Sequence, residues 1–411
     1  MSEPSAPPTV VQKFGGSSLA TPDRIFNVAR RIAETRQTVE RVVVVVSAMG
    51  DTTDELMALA RAVNAEPRSR ELDMLVSAGE TIAAPLVTMA LHGLGIEAIS
   101  LTGFQAGIRT SRVHQKARIV DIVPQRILDE LDGGRVVVVA GFQGATEDLD
   151  ITTLGRGGSD TSAVALAVEL GAQECDIFTD VTGVMTADPR VVPSAHVLEM
   201  LDYTEMLELA ALGARVLHPR AVEIGAAYGM PIRVRSSLEV HPGTLICRSQ
   251  GMEQRPVVRG IAQETNVAKI TVIEAPDRPG VAAAIFEALA AEHINVDTVV
   301  QNVSHRGRTD VSFTVAATDL AHAESVVQKA ADSIGAEGVQ SADDIGKISV
   351  VGSGIMGTPG VFARVLSTLA ENGINVEMIS TGEIRMTCIV ARDRVADAAR
   401  ALHAAFELDR A

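Results

Sequence analysis

The 411-residue chain has no tryptophan, two tyrosines and three cysteines, and aromatic residues make up only 3% of it. A binding site that sandwiches an adenine between aromatic rings is therefore not expected. Cys175, Cys247 and Cys388 lie in apolar or strand-like contexts and lack the spacing of metal ligands or redox pairs. We therefore expect thiols buried in a protein of the reducing cytoplasm.

Basic residues are also scarce, with 36 Lys and Arg against 52 Asp and Glu, and the net charge is −16. This excess argues against nucleic acid or an anionic membrane as the main partner. No apolar run in the sequence is expected to span a membrane. Residues 1–8 lack the basic segment and apolar core of a signal peptide, so we expect a short disordered tail. An anionic substrate must then be captured by local positive charge.

Short β-branched runs alternate with helical patterns from residue 9 to about 245. The predicted strands include Val42–Val46, Arg135–Ala140, Asp176–Thr179 and Pro231–Arg235, and the predicted helices Leu72–Leu94, Ser162–Leu170 and Tyr203–Leu212. Nearly continuous apolar strands that alternate with helices indicate an α/β fold, with a largely parallel open sheet covered by helices. Ligands of such sheets bind beyond the carboxyl ends of the strands.

An internal repeat follows the α/β region. Lys269-Ile-Thr-Val matches Lys347-Ile-Ser-Val, Pro279-Gly-Val matches Pro359-Gly-Val, and Ile294-Asn-Val matches Ile374-Asn-Val. Each copy is predicted to form strand, turn, amphipathic helix, strand and strand, and the two copies are expected to pack side by side. We divide the chain into a catalytic domain (9–247), a linker (248–257) and two modules (258–341 and 342–411). Val258–Ala262 is expected to supply a strand to one of the modules.

Two glycine-rich loops are candidate phosphate cradles. Lys13-Phe-Gly-Gly-Ser-Ser18 follows the first predicted strand, and Gly155-Arg-Gly-Gly-Ser-Asp160 precedes a helix predicted to begin at Thr161. Paired glycines let backbone N–H groups approach an anion, and the N-terminus of a helix favours phosphate. Neither loop fits the Walker or dinucleotide-binding patterns. The alternative is ordinary strand-to-helix turns, but the charged residues in both loops favour a phosphoryl-transfer site.

These loops belong to a series of ordered motifs that resembles the aspartate kinases (aspartokinases). The others are Ser47-Ala-Met-Gly-Asp-Thr-Thr-Asp54, Ser77-Ala-Gly-Glu80 and the stretch from Thr179 to Arg190. The resemblance implies an amino-acid kinase fold followed by two α+β, ferredoxin-like ACT modules. It also implies Mg²⁺-dependent transfer of the ATP γ-phosphoryl group to the side-chain carboxylate of L-aspartate, giving 4-phospho-L-aspartate. That reaction is the first step of lysine, threonine and methionine biosynthesis.

The resemblance assigns catalytic and substrate-binding roles to particular residues. It implies that Lys13 clamps the transferring phosphoryl group and that Asp160 orients this lysine. The residues implied for aspartate binding are Ser47, Thr53, Glu80, Arg156 and Ser159, with Arg156 on a carboxylate and Glu80 on the α-amino group. The acceptor carboxylate is already ionised at pH 7 and needs no general base, so His92, His114 and His218 are expected to be structural or surface groups. Ser159 or Asp160 could also cap the following helix.

The nucleotide-binding residues implied by the resemblance come from both loops and from the later stretch. They are Lys13, Gly15, Gly16, Ser17, Gly157, Gly158, Thr179, Asp180, Met185, Asp188, Arg190 and Arg215. An acidic residue of this set is available to the hydration shell of Mg²⁺. Met185 stands where many relatives have tyrosine, and Arg215 where they have lysine; arginine keeps the charge but not the geometry.

The ACT resemblance implies feedback inhibition by lysine and/or threonine. The implied effector contacts are Asp277, Gly280, Val281, Gln301 and Asn302, with Ile374 and Asn375 contributed by the second repeat across a subunit interface. Gly382 stands where relatives with a lysine site tend to have serine, so we expect threonine sensitivity to be the more robust. A homo-oligomer formed through the ACT modules is expected, and the resemblance leaves a separate regulatory-only subunit open.

Two alternatives to an aspartate kinase remain at this stage. The first is another amino-acid kinase of this fold, such as one acting on glutamate, against which the Arg156 and Glu80 pair and the repeated tail argue. The second is a catalytically silent amino-acid sensor. That alternative requires loss of the phosphate chemistry, although Lys13, Arg156 and Asp160 are all present.

Overall fold

The computed structural model describes residues 7–213, 216–248, 256–302 and 307–410. They form two compact units. The first comprises the described residues of Met1–Val184, Val197–Ala211 and Arg215–Glu253, and the second those of Met185–His196, Leu212–Ala214 and Gln254–Ala411. Arg215, most of the expected tail (1–8) and most of the expected linker (248–257) lie outside the described residues.

The strands of the first unit form a large sheet and a small one. In chain order they are β1 (Thr9–Phe14), β2 (Arg41–Val46), β3 (Ala98–Leu101), β4 (Ile108–Thr110), β5 (Ile119–Ile122), β6 (Val136–Ala140), β7 (Gln143–Ala145), β8 (Ile151–Thr153), β9 (Glu174–Thr179), β10 (Met200–Leu201), β11 (Ile232–Ser236) and β12 (Thr244–Ile246). The large sheet has the order β10-β12-β11-β9-β1-β2-β6-β3, and the small sheet the order β5-β4-β7-β8.

The large sheet is parallel throughout except at the β11–β12 pair, which is antiparallel. Its central strands are valine-rich and buried, as expected of a sheet that is covered on both faces. The prediction of a largely parallel, open α/β sheet is therefore confirmed.

Eight α-helices accompany the strands among the described residues of the first unit. They are α1 (Pro22–Arg36), α2 (Thr52–Val63), α3 (Ser69–Val76), α4 (Ala78–Gly93), α5 (Gln125–Asp132), α6 (Gly158–Glu169), α7 (Tyr203–Ala211) and α8 (Pro219–Tyr228). Apolar residues of α1 and α4 pack against Phe14 of β1 and against alternate residues of β2 and β6 in one core, where the rings of Phe14 and Phe178 stack at 4.7 Å. On the opposite face of the sheet lies α6, which is buried around most of its circumference.

One helical stretch meets the length and composition of a membrane span, contrary to expectation. It runs over Ser69–Gly93, its most apolar window has a mean hydropathy of 1.5, and 56% of that window is buried inside the protein. A mostly buried core helix meets the same criterion, so this stretch is weak evidence for a membrane.

The second unit contains two four-stranded sheets and four helices among its described residues. The strands are β13 (Gly260–Glu264), β14 (Ala268–Pro276), β15 (Val299–Gln301), β16 (Arg308–Val315), β17 (Gly338–Ala342), β18 (Ile345–Val351), β19 (Met378–Thr381) and β20 (Arg385–Ala391); the helices are α9 (Val281–Ala291), α10 (Leu320–Ile334), α11 (Val361–Glu371) and α12 (Val395–Ala405). The sheet orders are β15-β16-β14-β17 and β13-β18-β20-β19.

Strand β13 belongs to the second module, although the sequence boundary placed residues 258–341 in the first. It pairs antiparallel with β18, so that Gly260 lies opposite Val351. The first module has its own fourth strand, β17, beside β14. In the second module the chain after β20 enters α12, so the strand beside β18 comes from earlier in the chain. The segment around residue 260 thus supplies a strand, as expected, and the first sheet begins at β14.

The two modules repeat the same local design. Gly280 and Gly360 both have positive φ angles, 96° and 92°, and each directly precedes the first helix of its module. A residue with a Cβ would be strained there, which explains why Pro-Gly-Val recurs in both copies. Separate apolar cores then form beneath the two sheets.

Candidate active site

An ion pair between Lys13 and Asp160 lies at the carboxyl end of β1. Lys13 Nζ is 2.7 Å from an Asp160 carboxylate oxygen, and the two side chains are only 12% and 11% exposed. Side chains alternate along a strand, so Phe14 enters the core beneath α1 and α4 while Lys13 points to the face that α6 covers. The strand and the first turn of α6 together fix the lysine.

The second glycine loop forms the N-terminus of α6, which begins at Gly158 rather than at Thr161. The N-cap residue is Gly157, with φ at +68°, and it provides no side-chain cap. A Cβ at Gly157 would lie 2.2 Å from the His218 ring. Ser159 and Asp160 are therefore not N-caps, as the sequence had allowed, but first-turn residues of the helix. This places Asp160 where the helix dipole favours negative charge.

Glu80, in the first turn of α4, contacts the loop that follows β2. Its Oε1 accepts a hydrogen bond of 3.0 Å from the Ala48 backbone N–H. Its Oε2 is buried and has no hydrogen-bond partner among the described residues. Burial raises the pKa of Glu80 to about 7, even though the Ala48 N–H favours the charged form. One oxygen of this carboxyl group therefore remains available to a ligand.

Arg156 lies between Gly155 and Gly157 in its loop and is exposed. None of the ion pairs among the described residues includes its guanidinium group. A guanidinium can hold a carboxylate through two parallel hydrogen bonds. Arg156 is thus a positive charge available to an anionic ligand, in contrast to Lys13.

These residues surround one cavity of about 470 Å³. Ten of the sequence-predicted residues line it: Lys13, Gly16, Ser47, Thr53, Glu80, Arg156, Gly157, Gly158, Ser159 and Asp160. Gly15 and Ser17 do not line this cavity. A Cβ at Gly16 would lie 2.6 Å from the Ala48 carbonyl oxygen, so this glycine permits the close approach of the two loops.

The cavity also has lining residues that sequence reasoning missed. Asp73 of α3 is fully buried and accepts hydrogen bonds from the Thr153 hydroxyl at 2.6 Å and from the Gln115 N–H. The Gln115 carbonyl in turn packs against Gly155, beside Arg156. The signal for Asp73 was a lone acidic residue between Leu72 and Val76 on the apolar face of a helix.

Phe142 is the second missed residue. It lines the cavity with a φ of +67°, which is unusual for a residue other than glycine. Its N–H donates to Ser162 Oγ, and its carbonyl accepts from the Leu154 N–H. Leu154 precedes the glycine loop and Ser162 follows it, so residues on both sides of that loop hold Phe142 in its strained conformation. An aromatic residue beside Gly141, just after a buried strand, was the available signal.

Comparison with known proteins places this site in a family. Residues 8–236 match the amino acid kinase family, and residues 269–332 and 348–406 each match an ACT domain. The chain is 50% identical to the aspartokinase of Corynebacterium efficiens over 406 residues, covering 97% of this chain and 96% of that protein. It is 47% identical to aspartokinase 2 of Bacillus subtilis over 401 residues, covering 98% of each. The chain belongs to the aspartokinase family.

Solved structures support the same assignment. E. coli aspartokinase III in complex with aspartate and ADP (R-state) aligns with a TM-score of 0.80 at 25% identity, covering 97% of this chain and 99% of that one. The same enzyme in complex with lysine and aspartate (T-state) aligns with a TM-score of 0.78 at 26% identity, covering 96% and 99%. The expected kinase fold with two ACT modules is confirmed.

The expected nucleotide stretch of this aspartokinase-family chain is divided between the two units. Thr179 and Asp180 belong to the first unit, where the Thr179 hydroxyl donates to Asp180 at 3.1 Å. Met185, Asp188 and Arg190 belong to the second unit. Asp188 forms an ion pair of 2.8 Å with Arg190, which lowers the pKa of Asp188. None of these five residues lines the cavity around Lys13.

The expected effector residues also separate into groups. Asp277, Gly280, Val281 and Gln301 line one cavity of about 330 Å³ in the first ACT module, together with Pro276, Arg278, Pro279, Ala282, Ala283, Thr309 and Val311. Asn302 is exposed and does not line it. The Ile374 side chain is buried in the core of the second module, so that side chain does not face a ligand, whereas Asn375 is exposed.

The raised pKa of Glu80 predicts a pH-dependent contribution to stability. Because its folded pKa is about 7 against an ordinary 4.5, the protonated form stabilises the native state at low pH. This contribution is lost as the pH rises through about 7, by up to about 3 kcal/mol. Glu80→Gln keeps an acceptor for the Ala48 N–H but does not titrate. Urea unfolding should show wild type losing stability relative to Glu80→Gln between pH 5 and 8; a difference that does not vary with pH would contradict the assignment.

Proposed function

We propose that this chain catalyses ATP-dependent phosphorylation of L-aspartate on its side-chain carboxylate, in the cavity that contains Lys13 and Asp160. The observation that carries the proposal is the set of three charged groups at one cavity. A lysine is anchored by an ion pair, and within the part of the chain that the structure describes an arginine has no carboxylate partner and a buried glutamate has one oxygen without a hydrogen-bond partner. The E. coli relative solved with aspartate and ADP supports aspartate as the acceptor and an adenosine nucleotide as the second ligand.

We base the recognition of aspartate on two groups of the substrate, a negatively charged carboxylate and the positively charged ammonium group. Arg156 binds a carboxylate of aspartate through its planar fork. Glu80 accepts the substrate ammonium on its unused oxygen, and the positive charge of that ammonium lowers the pKa of Glu80 and favours its ionised form. Ser47, Thr53 and Ser159 supply hydroxyl contacts at the wall of the same cavity.

Phosphoryl transfer to a carboxylate consists mainly of positioning and charge neutralisation. A carboxylate oxygen of aspartate bonds to the γ-phosphorus while the bond from that phosphorus to the β–γ bridging oxygen breaks, and its electron pair leaves with ADP. No proton has to move, and none of the described residues that line the cavity is a histidine. Lys13 neutralises charge on the transferring group, and Asp160 keeps Lys13 in place.

The reaction also calls for Mg²⁺ on the nucleotide. Among the described residues there is no cluster of three or more His, Cys, Asp or Glu side chains that could hold a metal. This fits a magnesium ion bound mainly by phosphate oxygens and water, as is usual for ATP-dependent enzymes. Asp180 is the acidic residue we assign to its hydration shell, because Asp188 is already paired with Arg190. When bound, the ion supplies neutralisation of phosphate charge.

A trapping assay tests this function. The purified chain, with ATP, MgCl₂ and hydroxylamine, should form aspartyl hydroxamate from L-aspartate and none from L-glutamate. Arg156→Ala should mainly raise the KM for aspartate, since it removes a ground-state carboxylate contact, while Arg112→Ala, an exposed arginine paired with Asp148, should not. Equal rates with both amino acids would refute the substrate assignment, and absence of product would favour a silent sensor.

We further propose that amino acids bind in the cavity of the first ACT module and regulate the kinase. The N-terminus of α9 lies at this cavity, preceded by Gly280, and its backbone N–H groups favour a ligand carboxylate. The Asp277 carboxylate, which forms no ion pair among the described residues, suits the ligand ammonium group. Lysine and threonine are the candidate effectors, and the solved lysine complex of the E. coli enzyme supports this class. Assembly through the ACT modules, a regulatory-only subunit and a cytoplasmic location stay predictions.

Replacement of Asp277 tests the regulatory site. Kinase activity should fall with threonine, lysine or both at millimolar concentration, and Asp277→Ala should require a higher effector concentration because the ammonium partner is gone. Asp332→Ala on α10, whose carboxylate accepts a hydrogen bond of 2.8 Å from the Gln328 side chain, should behave like wild type. If neither amino acid changes the rate, or if Asp277→Ala is inhibited like wild type, the assignment of this site is wrong.

A further inference from the structure

Asp73 is a buried carboxylate at the wall of the cavity around Lys13. It lies on α3, within the first unit, and its side chain is fully buried. Burial of a charged group is costly unless hydrogen-bond donors surround it. A leucine or methionine at this position of the apolar helix face would avoid that cost. The contacts of the carboxylate therefore indicate what it does.

Both oxygens of the Asp73 carboxylate are engaged. One accepts a hydrogen bond from the Thr153 hydroxyl at 2.6 Å, and the other lies 2.8 Å from Nδ1 of His114. The Gln115 N–H is shared between the two oxygens, at 3.1 and 3.0 Å. Because the protein's own donors occupy the carboxylate, Asp73 is suited to hold the wall of the cavity rather than to bind a ligand.

Two of these contacts lead to the loop that carries Arg156. Thr153 is the last residue of β8 and lies three residues before Arg156. The Gln115 carbonyl is so close to Gly155 that a Cβ on this glycine would lie 2.8 Å from it. Gly155 and Gly157 have φ angles of +80° and +68°, which residues with a Cβ rarely adopt. The backbone at Arg156 is thus placed by whatever holds Thr153 and Gln115.

Arg220 of α8 supports the same region from another direction. Its guanidinium donates to the Leu154 carbonyl at 3.0 Å and to the Ala117 carbonyl at 2.8 Å. These hydrogen bonds fix the segment around residue 117 to the segment around residue 154. Asp73 fixes both segments to α3.

The helical stretch that carries Asp73 continues to Glu80. Helix α3 ends at residue 76 and α4 begins at residue 78, and Ser77 between them has helical φ and ψ angles of −63° and −17°. Asp73 and Glu80 are separated by about two helical turns, so they lie along the same side of this stretch. Both line the same cavity. The Asp73 carboxylate therefore connects the helix of Glu80 to the loop of Arg156.

We propose that Asp73 is a positioning residue of the kinase reaction, because it fixes the Arg156 loop to the helical stretch that carries Glu80. The inference rests on the proposed function, which gives a carboxylate of the acceptor amino acid to Arg156 and its ammonium group to Glu80. Asp73 sets the spacing between these two groups and does not itself touch the substrate. Loss of its contacts weakens aspartate binding and leaves nucleotide binding unchanged.

A double-mutant cycle in the full-length protein tests this inference. Asp73→Asn keeps the volume but turns an amide N–H₂ group toward hydrogen-bond donors. It should raise the KM for aspartate about tenfold, while kcat and the KM for ATP stay within about twofold of wild type. In an Arg156→Ala background the same change should raise the KM for aspartate less than twofold, because Asp73 acts through Arg156. Equal rises in both backgrounds, or equal losses in all kinetic constants, would overturn the proposal.

Thr153 offers a second variant that leaves Asp73 in place. Thr153→Val removes the hydroxyl donor at nearly constant volume and should raise the KM for aspartate about fivefold. Thr153→Ser keeps the hydroxyl and should stay within about twofold of wild type. The matched control is Thr88→Val on α4, where a buried hydroxyl donates to the Ala84 carbonyl and the residue does not line the cavity. An aspartate KM as low in Thr153→Val as in Thr88→Val would contradict the positioning role.

Hydrogen exchange of the wild-type protein provides a test that does not depend on the variants folding. Addition of L-aspartate to protein saturated with AMP-PNP and Mg²⁺ should slow exchange at the Gln115 amide, since a ligand on Arg156 stabilises the loop that Gln115 supports. Unchanged exchange at saturating aspartate would argue against the inference. A wild-type protein that forms no hydroxamate would refute the proposed function, whereas an active enzyme with a wild-type aspartate KM in Asp73→Asn and Thr153→Val would refute only this inference.

Discussion

The ion pair between Lys13 and Asp160 is the interaction on which the candidate site depends. A lysine side chain has many rotamers, and a chain with a net charge of −16 offers many competing carboxylates. A distance of 2.7 Å to Asp160, with both side chains nearly buried, selects one position for the ammonium group. The carboxylate is held in turn by the first turn of α6. Their mutual attraction offsets part of the cost of burying two charges.

The fold produces this pair through simple geometry. Valine-rich strands that are buried on both faces make a parallel sheet, and the alternation of side chains separates Phe14 from Lys13. The loops after β1, β2 and β6 then meet at the carboxyl edge, where Gly16 allows the first two to approach closely. Glu80 fixes the loop after β2 by accepting a hydrogen bond from the Ala48 N–H. Asp73 accepts a hydrogen bond from the Gln115 N–H and so fixes the chain beside Arg156. The residues proposed for substrate recognition and phosphoryl transfer therefore line one cavity.

The sequence predicted the strands, the two glycine loops, the internal repeat and ten residues of the cavity, because these depend on local patterns: apolar periodicity, Gly-Gly pairs and motif order. Features that depend on tertiary contacts could not be predicted from the sequence. Helix α6 begins at Gly158 rather than at the predicted Thr161, because Gly157 adopts a left-handed conformation beneath the His218 ring. β13 could not be assigned to the second module, since its partner β18 lies about 85 residues later in the chain. Asp73 and Phe142 carry no motif of their own, and the burial of the Ile374 side chain is a property of the module core.

The central claim is that Lys13 acts only when Asp160 positions it, and a double-mutant cycle measures that dependence directly. Lys13→Met, Asp160→Asn and the double variant should be compared by kcat at saturating ATP and aspartate. Each single change should lower kcat by about 10²–10³-fold, and the double variant should be little worse than either, because the two residues act as a unit. Losses that multiply in the double variant, or near-normal turnover in Asp160→Asn, would contradict this account.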